Sequence, residues 1–439
     1  MLVFELNEYH PGLLRKIAGR SGLKALQEIF SWSKTRTYTD DTYDSGYLEP
    51  WVQWVSVHTG APARKHGIKN LGDAPSLSCQ QIWERWSEEG RESVVWGVMN
   101  GERRRAEKCR AFMPDPWTFS QKAYPEKYQD LIDLPRYLAK NYVDISKIKS
   151  ARSGAALLRS MINHTYWADF CDSIKLLMRG LRKFGGAQVV FIVFFEHVSA
   201  MAFLRAIEET EPEEAILFTN MFAHVQHHYW ETPEGENCPQ LEFAARAIDD
   251  ILSKLLTRAP AALRERFCVM NGLSQICTHN EKQWFLHRQK NPDAFVRFLG
   301  LNPVQVEPLM THDAHLTFST ADEAREAAGL LKRVTIEGKP FFHVEENRAN
   351  PAQIFYRLDF FDRVAPGASF QHGARKSLFH EHFVTIVKRT GRHMQKGEVM
   401  ANWAGLPEEL YNHEVFAAMQ TRAAEGRASG VSGREELRN

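Results

Sequence analysis

The chain has 439 residues, which is enough for two or three domains or for one large α/β domain carrying insertions. Its 44% hydrophobic and 25% charged residues are typical of a globular protein, and a formal net charge of +1 gives no ground for expecting nucleic acid or a membrane surface as a partner. The six cysteines form no CxxC pair, which favours a reducing compartment, and no unbroken apolar run reaches the ~18 residues of a membrane span. The sequence therefore predicts a cytoplasmic protein with no membrane segment.

The first hundred residues predict strands and helices in alternation. Leu2–Leu6 is an apolar strand that ends before a polar pair. After Glu49, Pro50 can begin a short buried helix, because its missing N–H costs nothing at that position, and Gly60 can end it. A strand over Val94–Met99 is expected to follow.

The middle of the chain has two parts that differ in composition. Residues 102–184 are charged, contain several prolines and end in an amphipathic stretch, so we interpret them as an inserted helical cap. Beyond them, strands are predicted over Val189–Phe195, Ala215–Thr219 and Arg266–Met270, with helices over Val198–Glu208 and Gln240–Thr257 between them. This alternation indicates an α/β fold with a mostly parallel central sheet and helices on both faces.

The last third predicts a small α+β insertion and a return to the sheet. Short strands surround a capped helix over Thr320–Lys332, and Phe379–Val387 is expected to return to the main sheet. The Ala-, Gly- and Ser-rich end predicts a flexible tail. The predicted organisation is therefore core sheet over residues 1–101, 185–280 and 376–421, helical cap over 102–184, α+β insertion over 281–375 and tail over 422–439.

Polar side chains follow several of these strands. In an open parallel sheet, ligands bind at the carboxyl ends of the strands, so polar residues at those ends are candidates for a site. The residues that meet this criterion come from nearly the whole chain: Asn7, Glu8, Glu49 to Ser56 with Gln53 among them, Asn100, Glu196, His197, His224, His227, His228, Asn271, Gln275 and His393.

Four segments carry motifs in a shared order. Residues Trp54 to Gly60, followed by His66-Gly-Ile68, are similar to the motif Ser-x-x-Thr-Gly…His-Gly-Ile. The segment from Phe222 to Trp230 is similar to the motif Asp-x-x-x-His-x-x-Trp. Val269 to Ser274 stands where Ser-Asp-His-Gly is expected, and Arg389 to Gly397 is similar to a closing Gly-x-His. Together these segments resemble the type I phosphodiesterase/nucleotide pyrophosphatase branch of the alkaline phosphatase superfamily, over about residues 1–100, 185–275 and 375–405.

The resemblance implies a Thr or Ser nucleophile and two divalent ions held by Asp and His residues. His227 and His393, both ligands of one metal in the family, match residue for residue. The other ligand positions carry no acid or histidine, being Asn7, Ala223, Asn271 and Gly272. The two matched histidines suggest a site for one divalent metal, with zinc as the first candidate and manganese or calcium as the next. A site that binds no metal is an equally good interpretation.

The position of the nucleophile falls on Glu49 or Pro50, neither of which bears a hydroxyl. Glu49 is a candidate nucleophile or general base at a helix start, with Gln53 beside it, although an acid is also an ordinary cap there. His224, three residues before His227, could complete a three-histidine metal site or could lie on a solvated helix turn.

The remaining polar residues suit a substrate. Glu8 lies past its strand and can turn toward the site, and neutral Asn7, Asn100, Asn271 and Gln275 can hydrogen-bond sugar hydroxyls or amides. A small-molecule, saccharide or nucleotide substrate is therefore expected.

Two hypotheses follow. The chain is either a divergent hydrolase or group transferase acting on a phosphorylated, sulfated or glycosyl substrate, or a binding or scaffold protein that keeps the fold without catalysis.

Overall fold

A computed structural model describes residues 1–420 apart from 43–44, 141–146, 237, 310–311, 348–349 and 373–374. The predicted tail over residues 422–439 lies outside this part of the chain. The chain divides into two compact units, the first formed by Met1–Asp133, Gly154–His279 and Thr390–Asn439, the second by Leu134–Ser153 and Asn280–Arg389. The finer six-part division stays a prediction.

The strands are, in chain order, β1 (Leu2–Leu6), β2 (Ser33–Tyr38), β3 (Ser93–Trp96), β4 (Cys109–Met113), β5 (Glu214–Thr219), β6 (Phe267–Met270), β7 (Ser274–Cys277), β8 (Phe285–Gln289), β9 (Gln305–Pro308), β10 (Asp313–Thr317), β11 (Thr335–Ile336), β12 (Lys339–Pro340), β13 (Phe342–Glu346), β14 (Gln353–Leu358), β15 (Ser369–His372), β16 (Arg375–Leu378), β17 (Phe383–Lys388), β18 (Gly391–Met394), β19 (Lys396–Ala401) and β20 (Glu409–Tyr411).

The α-helices are α1 (Pro11–Ser21), α2 (Lys24–Ile29), α3 (Pro50–Thr59), α4 (Ala63–His66), α5 (Ile82–Glu88), α6 (Gln129–Lys140), α7 (Lys147–His164), α8 (Trp167–Phe184), α9 (Gln188–Thr210), α10 (Met221–Tyr229), α11 (Pro239–Arg258), α12 (Ala261–Arg264), α13 (Pro292–Phe298), α14 (Ala321–Lys332) and α15 (Phe379–His382).

The first unit is built on an eight-stranded sheet with the order β20-β2-β19-β6-β1-β5-β3-β4. All its pairings are parallel except those of β19, which runs antiparallel to β2 and β6. One face packs against α3 and α5 in a cluster that includes Val3, Trp54 and Trp83, and α9 contacts β3 and β5. The predicted α/β class with a mostly parallel central sheet flanked by helices is confirmed.

The helix that carries the resemblance begins and ends as predicted. Glu49 is the N-cap of α3 with Pro50 in its first turn, and Gly60 ends it with a φ of 68°, a left-handed conformation that costs glycine no strain. Strand β3 is shorter than predicted, because the chain turns at Gly97.

The prediction of a strand over Val189–Phe195 is wrong. These residues open the single helix α9, whose apolar residues are buried on most sides, and a short apolar run cannot by itself distinguish a strand from a buried helix. Among the described residues α9 alone is long and apolar enough to cross a membrane, but 67% of its apolar window is buried inside the protein, as in a core helix. This burial agrees with the prediction of no membrane segment.

Two further predictions need correction. The strand near Phe379–Val387 does not return to the main sheet: β17 pairs with β8 in the second unit, and the strand that joins the main sheet is β19. Strand β4, inside the segment interpreted as a helical cap, lies at the edge of the main sheet beside β3. Both errors arise because strand partners are set by tertiary packing.

The second unit has the predicted α+β character. It holds an antiparallel sheet in the order β13-β14-β10-β9, and α14 begins at the expected cap, Thr320, which forms a capping box with Glu323. Its own buried cluster is rich in phenylalanine and includes Phe295, Phe341 and Phe383.

Candidate functional site

Three side chains from distant parts of the first unit converge at one point. Glu8 follows β1, His227 lies on α10 and His393 lies on β18, and one ligand atom from each falls within 4.8 Å of the others. Glu8 Oε2 is 3.0 Å from Nε2 of His227 and 3.0 Å from Nε2 of His393, and the two nitrogens are 3.3 Å apart. Within the described residues this is the one group of at least three such side chains that could hold a metal ion.

The backbone places these groups. Glu8 has a φ of 53°, so the chain bends sharply after β1, and its N–H donates to the Asn271 carbonyl at the end of β6. His393 lies opposite Gln275 in the antiparallel pair of β18 and β7. The Thr390 N–H donates to the His227 carbonyl, which ties the start of β18 to α10.

The hydrogen bonds of the imidazoles fix where their lone pairs point. His227 Nδ1 lies 3.1 Å from the Gly391 carbonyl, which can only accept, so Nδ1 carries the hydrogen. His393 Nδ1 lies 3.2 Å from Glu49 Oε2, so it also carries a hydrogen. In the neutral imidazoles both Nε2 lone pairs then face each other and a carboxylate oxygen. Three acceptor atoms this close need a cation between them, which is what a divalent metal or protons on the rings provide, so the donor set fits a metal.

Without metal, protons take this role. Burial alone would raise the pKa of Glu8, but the charges of His393 and His227 hold it well below the ordinary value. Burial would lower the pKa of His393, yet Glu8 and Glu49 raise it to about 9. The cluster thus has a strong preference for positive charge at its centre.

Neutral side chains hold Glu8 in place. Gln275 Nε2 donates to Glu8 Oε2 at 2.7 Å, and Asn7 Nδ2 donates to Oε1 at 2.8 Å. Gly391 makes the first contact possible, because a Cβ there would clash with Gln275 Oε1 and lie 3.1 Å from the Gln226 carbonyl.

Gly391→Ala is expected to displace the Gln275 amide and free Glu8. We expect metal affinity to fall about 10- to 100-fold, as when a hydrogen bond that orients a ligand is lost, with a stability loss of about 1–3 kcal/mol from overpacking. Titration calorimetry and urea unfolding measure both. Gly19→Ala in α1, where a Cβ meets nothing within 4 Å, is the matched control; equal metal affinity in the two variants would contradict this role.

Glu49 reaches the cluster from the start of α3. Its side chain is 25% exposed, whereas those of Glu8 and His393 are 3% and 2% exposed. Glu49 therefore lies between the buried ligand group and solvent, with one oxygen on His393.

The region where the resemblance implies a second metal is closed by protein. The buried Trp54 indole N–H donates to Asn7 Oδ1 at 2.7 Å, and a Cβ at Gly272 would lie 3.1 Å from the Trp54 ring. The Asn271 side chain hydrogen-bonds backbone groups, since it donates to the Tyr9 carbonyl and accepts from the Glu398 N–H. Asn7, Asn271 and Gly272 do not fit a second divalent ion.

Other candidate residues have structural partners. Gln53 is buried, donates to Asp41 and the Tyr47 carbonyl, and accepts from Asn412. Asn100 joins α3 to the loop around Asn70, because its side chain bonds to Trp51, Asn70 and Gly72. The His224 ring lies against His228, with centroids 4.4 Å apart, and the third side chain beside His227 and His393 in the group that could hold a metal is Glu8. Their predicted roles in the site stay predictions.

The His66-Gly-Ile68 segment is structural. His66 Nδ1 accepts from the Ile68 N–H, so Nε2 donates to Ser56 Oγ at 3.0 Å, and Ser56 lies 3.4 Å from the Val52 carbonyl. Burial lowers the pKa of His66 to about 4. A neutral donor cannot activate Ser56 as a nucleophile.

Glu196 is a contributor that the sequence placed at a strand end and the structure places on α9. Its Oε2 accepts from the N–H groups of Asn220 and Met221, the start of the helix that carries His227. Burial raises its pKa to about 7 despite these bonds. Asn220 Oδ1 in turn accepts from Asn7, which donates to Glu8. Glu196 is therefore linked to the site through Asn220 and Asn7.

Glu196→Gln is expected to flatten the pH dependence of stability. A folded-state pKa of about 7 exceeds the ordinary 4.5, so the stability from this group is full below pH 4.5 and lost as pH rises through 7. A shift of this size corresponds to roughly 3 kcal/mol. Urea unfolding at about pH 5 and pH 8.5 should show the variant losing less stability than the wild type; identical losses would contradict the raised pKa.

No protein-family model matches the chain, and no curated protein matches it. The solved structures that resemble it include members of the alkaline phosphatase superfamily, the family whose motifs the sequence resembles.

Three of these structures illustrate the likeness. Phosphonoacetate hydrolase from Sinorhizobium meliloti, in complex with phosphonoformate, is 13% identical over 95% of this chain and 94% of its own, with a TM-score of 0.45. Human ectonucleotide pyrophosphatase/phosphodiesterase 5 is 11% identical over 95% and 92%, with a TM-score of 0.44. A mutant of alkaline phosphatase PafA is 7% identical over 95% of each chain, with a TM-score of 0.45. At these values the likeness carries no information on activity, which must come from the site itself.

Proposed function

We propose that the chain is a hydrolase or group transferase that acts on a phosphorylated, sulfated or glycosyl substrate with one divalent metal. The observation that carries the proposal is the convergence of one carboxylate oxygen and two imidazole nitrogens within 4.8 Å. Two histidines and one carboxylate are a common catalytic zinc set, and zinc is the first candidate. When bound, such an ion supplies Lewis acidity toward an oxygen of the transferred group.

Each protein group has a distinct task in this proposal. Glu8, His227 and His393 hold the ion, and Gln275, Asn7 and the Gly391 carbonyl orient these ligands. Glu49, the partly exposed carboxylate, is the general base that takes the proton of the attacking water or hydroxyl. A carboxylate base suits this role because no hydroxyl stands at the start of α3.

The test separates metal binding from catalysis. Protein stripped with a chelator is reloaded with zinc, manganese or calcium, and bound metal is measured by mass spectrometry alongside the melting temperature. We expect one ion per chain and a higher melting temperature. The loaded protein is then assayed with nitrophenyl phosphate, bis-nitrophenyl phosphate and nitrophenyl sulfate. Binding without turnover of any ester would favour the scaffold hypothesis, and absence of binding would contradict the metal centre.

A further inference from the structure

Helix α8 packs in an unusual way. An amphipathic helix normally buries its apolar stripe, but the buried residues of α8 are Asp169, Ser173 and Gly180. These three share one face at helical spacing. The apolar residues of α8 are partly or fully exposed, with Trp167 at 69% and Met178 at 44%.

Exposed apolar side chains concentrate in this part of the first unit. Ten large hydrophobic side chains are exposed among the described residues, and six lie between positions 158 and 191: Leu158, Ile162, Tyr166, Trp167, Met178 and Phe191. They belong to α7, the turn after it, α8 and the start of α9. Such a concentration marks an interaction surface.

A basic cavity lies between α11 and the C-terminal half of α8. It has a volume of about 430 Å³ and is lined by Arg179, Arg182 and Lys183 of α8 and by Glu242, Phe243 and Arg246 of α11. Phe243 forms an apolar wall, and Gly180 allows it to approach α8, because a Cβ there would lie 2.9 Å from its ring.

The net charge of this surface is positive. The charge of Glu242 is neutralised by Arg246, whose Nη2 lies 2.6 Å from Glu242 Oε1. In the described part of the chain, Arg179, Arg182 and Lys183 form no ion pair with an acid. The two acids of α8 are also paired: Asp169 with Lys254 and Arg258, and Asp172 with Lys254 and Lys175.

The positive charge of this surface indicates the kind of partner that it can bind. A second copy would present the same cations and be repelled, whereas an anionic partner is attracted. Helix α8 carries exposed Trp167 and Met178 as well as Arg179, Arg182 and Lys183, and exposed Phe191 follows at the start of α9. Exposed apolar groups together with cations are typical of a surface that rests on a bilayer, where the apolar groups enter the interface and the cations meet phosphate groups.

We propose that the α8 surface, defined by Trp167, Met178, Arg179, Arg182, Lys183 and Phe191, docks on bilayers that contain anionic phospholipid, with a headgroup phosphate in the cavity between α8 and α11. This inference is independent of the proposed catalytic site. It makes the protein a peripheral binder, which is compatible with the predicted absence of a membrane segment.

Vesicle co-sedimentation tests the proposal. The full chain is mixed with phosphatidylcholine vesicles with or without about one third phosphatidylserine. We expect binding only to the anionic vesicles, weakening as salt is raised. The triple variant Arg179→Glu, Arg182→Glu, Lys183→Glu should bind at least about tenfold more weakly, since each cation near an anionic leaflet adds to the attraction. Trp167→Ser should weaken binding without abolishing its salt dependence.

The controls exclude a general charge effect. Arg325→Glu, Lys332→Glu, Arg333→Glu makes the same charge change on and beside the exposed α14 of the second unit and should leave binding unchanged. Unaltered melting temperature of each variant shows that it folds. The proposal is overturned if anionic vesicles are not bound, if the two triple variants weaken binding equally, or if inorganic phosphate raises the melting temperature while vesicles do not bind.

Discussion

Replacing His393 by alanine is expected to abolish metal binding. His393 supplies one of three ligand atoms, and its Nε2 lies 3.0 Å from Glu8 Oε2 and 3.3 Å from His227 Nε2. Two remaining ligands cannot hold a divalent ion against water and buffer, so affinity should fall by at least about a hundredfold. The variant also loses the positive charge that keeps the buried Glu8 ionised. Titration calorimetry with zinc measures the affinity.

His224→Ala is the matched control for this prediction. It removes a histidine from the same helix as His227, but its ring lies against His228 and it is not in the ligand group. Zinc affinity should stay within a few-fold of wild type. If His224→Ala loses zinc as His393→Ala does, the arrangement of His224, His227 and His393 expected from the sequence is favoured over the one proposed from the structure. If His393→Ala retains zinc, both arrangements are contradicted.

Glu49→Gln is expected to lower turnover strongly and leave metal binding nearly intact. The amide keeps the shape of the side chain and an oxygen that can accept from His393 Nδ1, so the ligand stays oriented. It cannot accept a proton at neutral pH, and loss of a general base costs about 10²- to 10⁴-fold in kcat. Steady-state kinetics on whichever ester the loaded protein turns over gives kcat and KM separately.

A second substitution separates the two tasks of Glu49. Glu49→Ala removes both the base and the contact with His393, so kcat and metal affinity should both fall. Unchanged kcat in Glu49→Gln together with reduced metal affinity in Glu49→Ala would show that Glu49 only positions His393.

The fold was predictable wherever local pattern determines structure. The buried strand after Met1 and the helix between Pro50 and Gly60 follow from apolar pattern and from proline and glycine positions. The prediction of a strand at Val189–Phe195 was wrong because a short apolar run is compatible with both a buried strand and a buried helix. The partner of β17 could not be read from the sequence, since pairing depends on tertiary packing.

The site was predictable in its histidines and not in its carboxylate. His227 and His393 stand in two recognisable motifs, whereas Glu8 was expected to contact substrate and lies with the two histidines in the group that could hold a metal. Its direction depends on a left-handed φ at one residue and on bonds from Gln275 and Asn7, which no periodicity reveals. A buried acid directly after the first strand was the available signal.

The metal centre can be located by anomalous X-ray diffraction at the zinc edge from zinc-loaded crystals. We expect one anomalous peak in the first unit, bonded to Glu8, His227 and His393, with Glu49 on the far side of the His393 ring. A peak elsewhere, or none with these three side chains still in contact, would contradict the proposed metal centre.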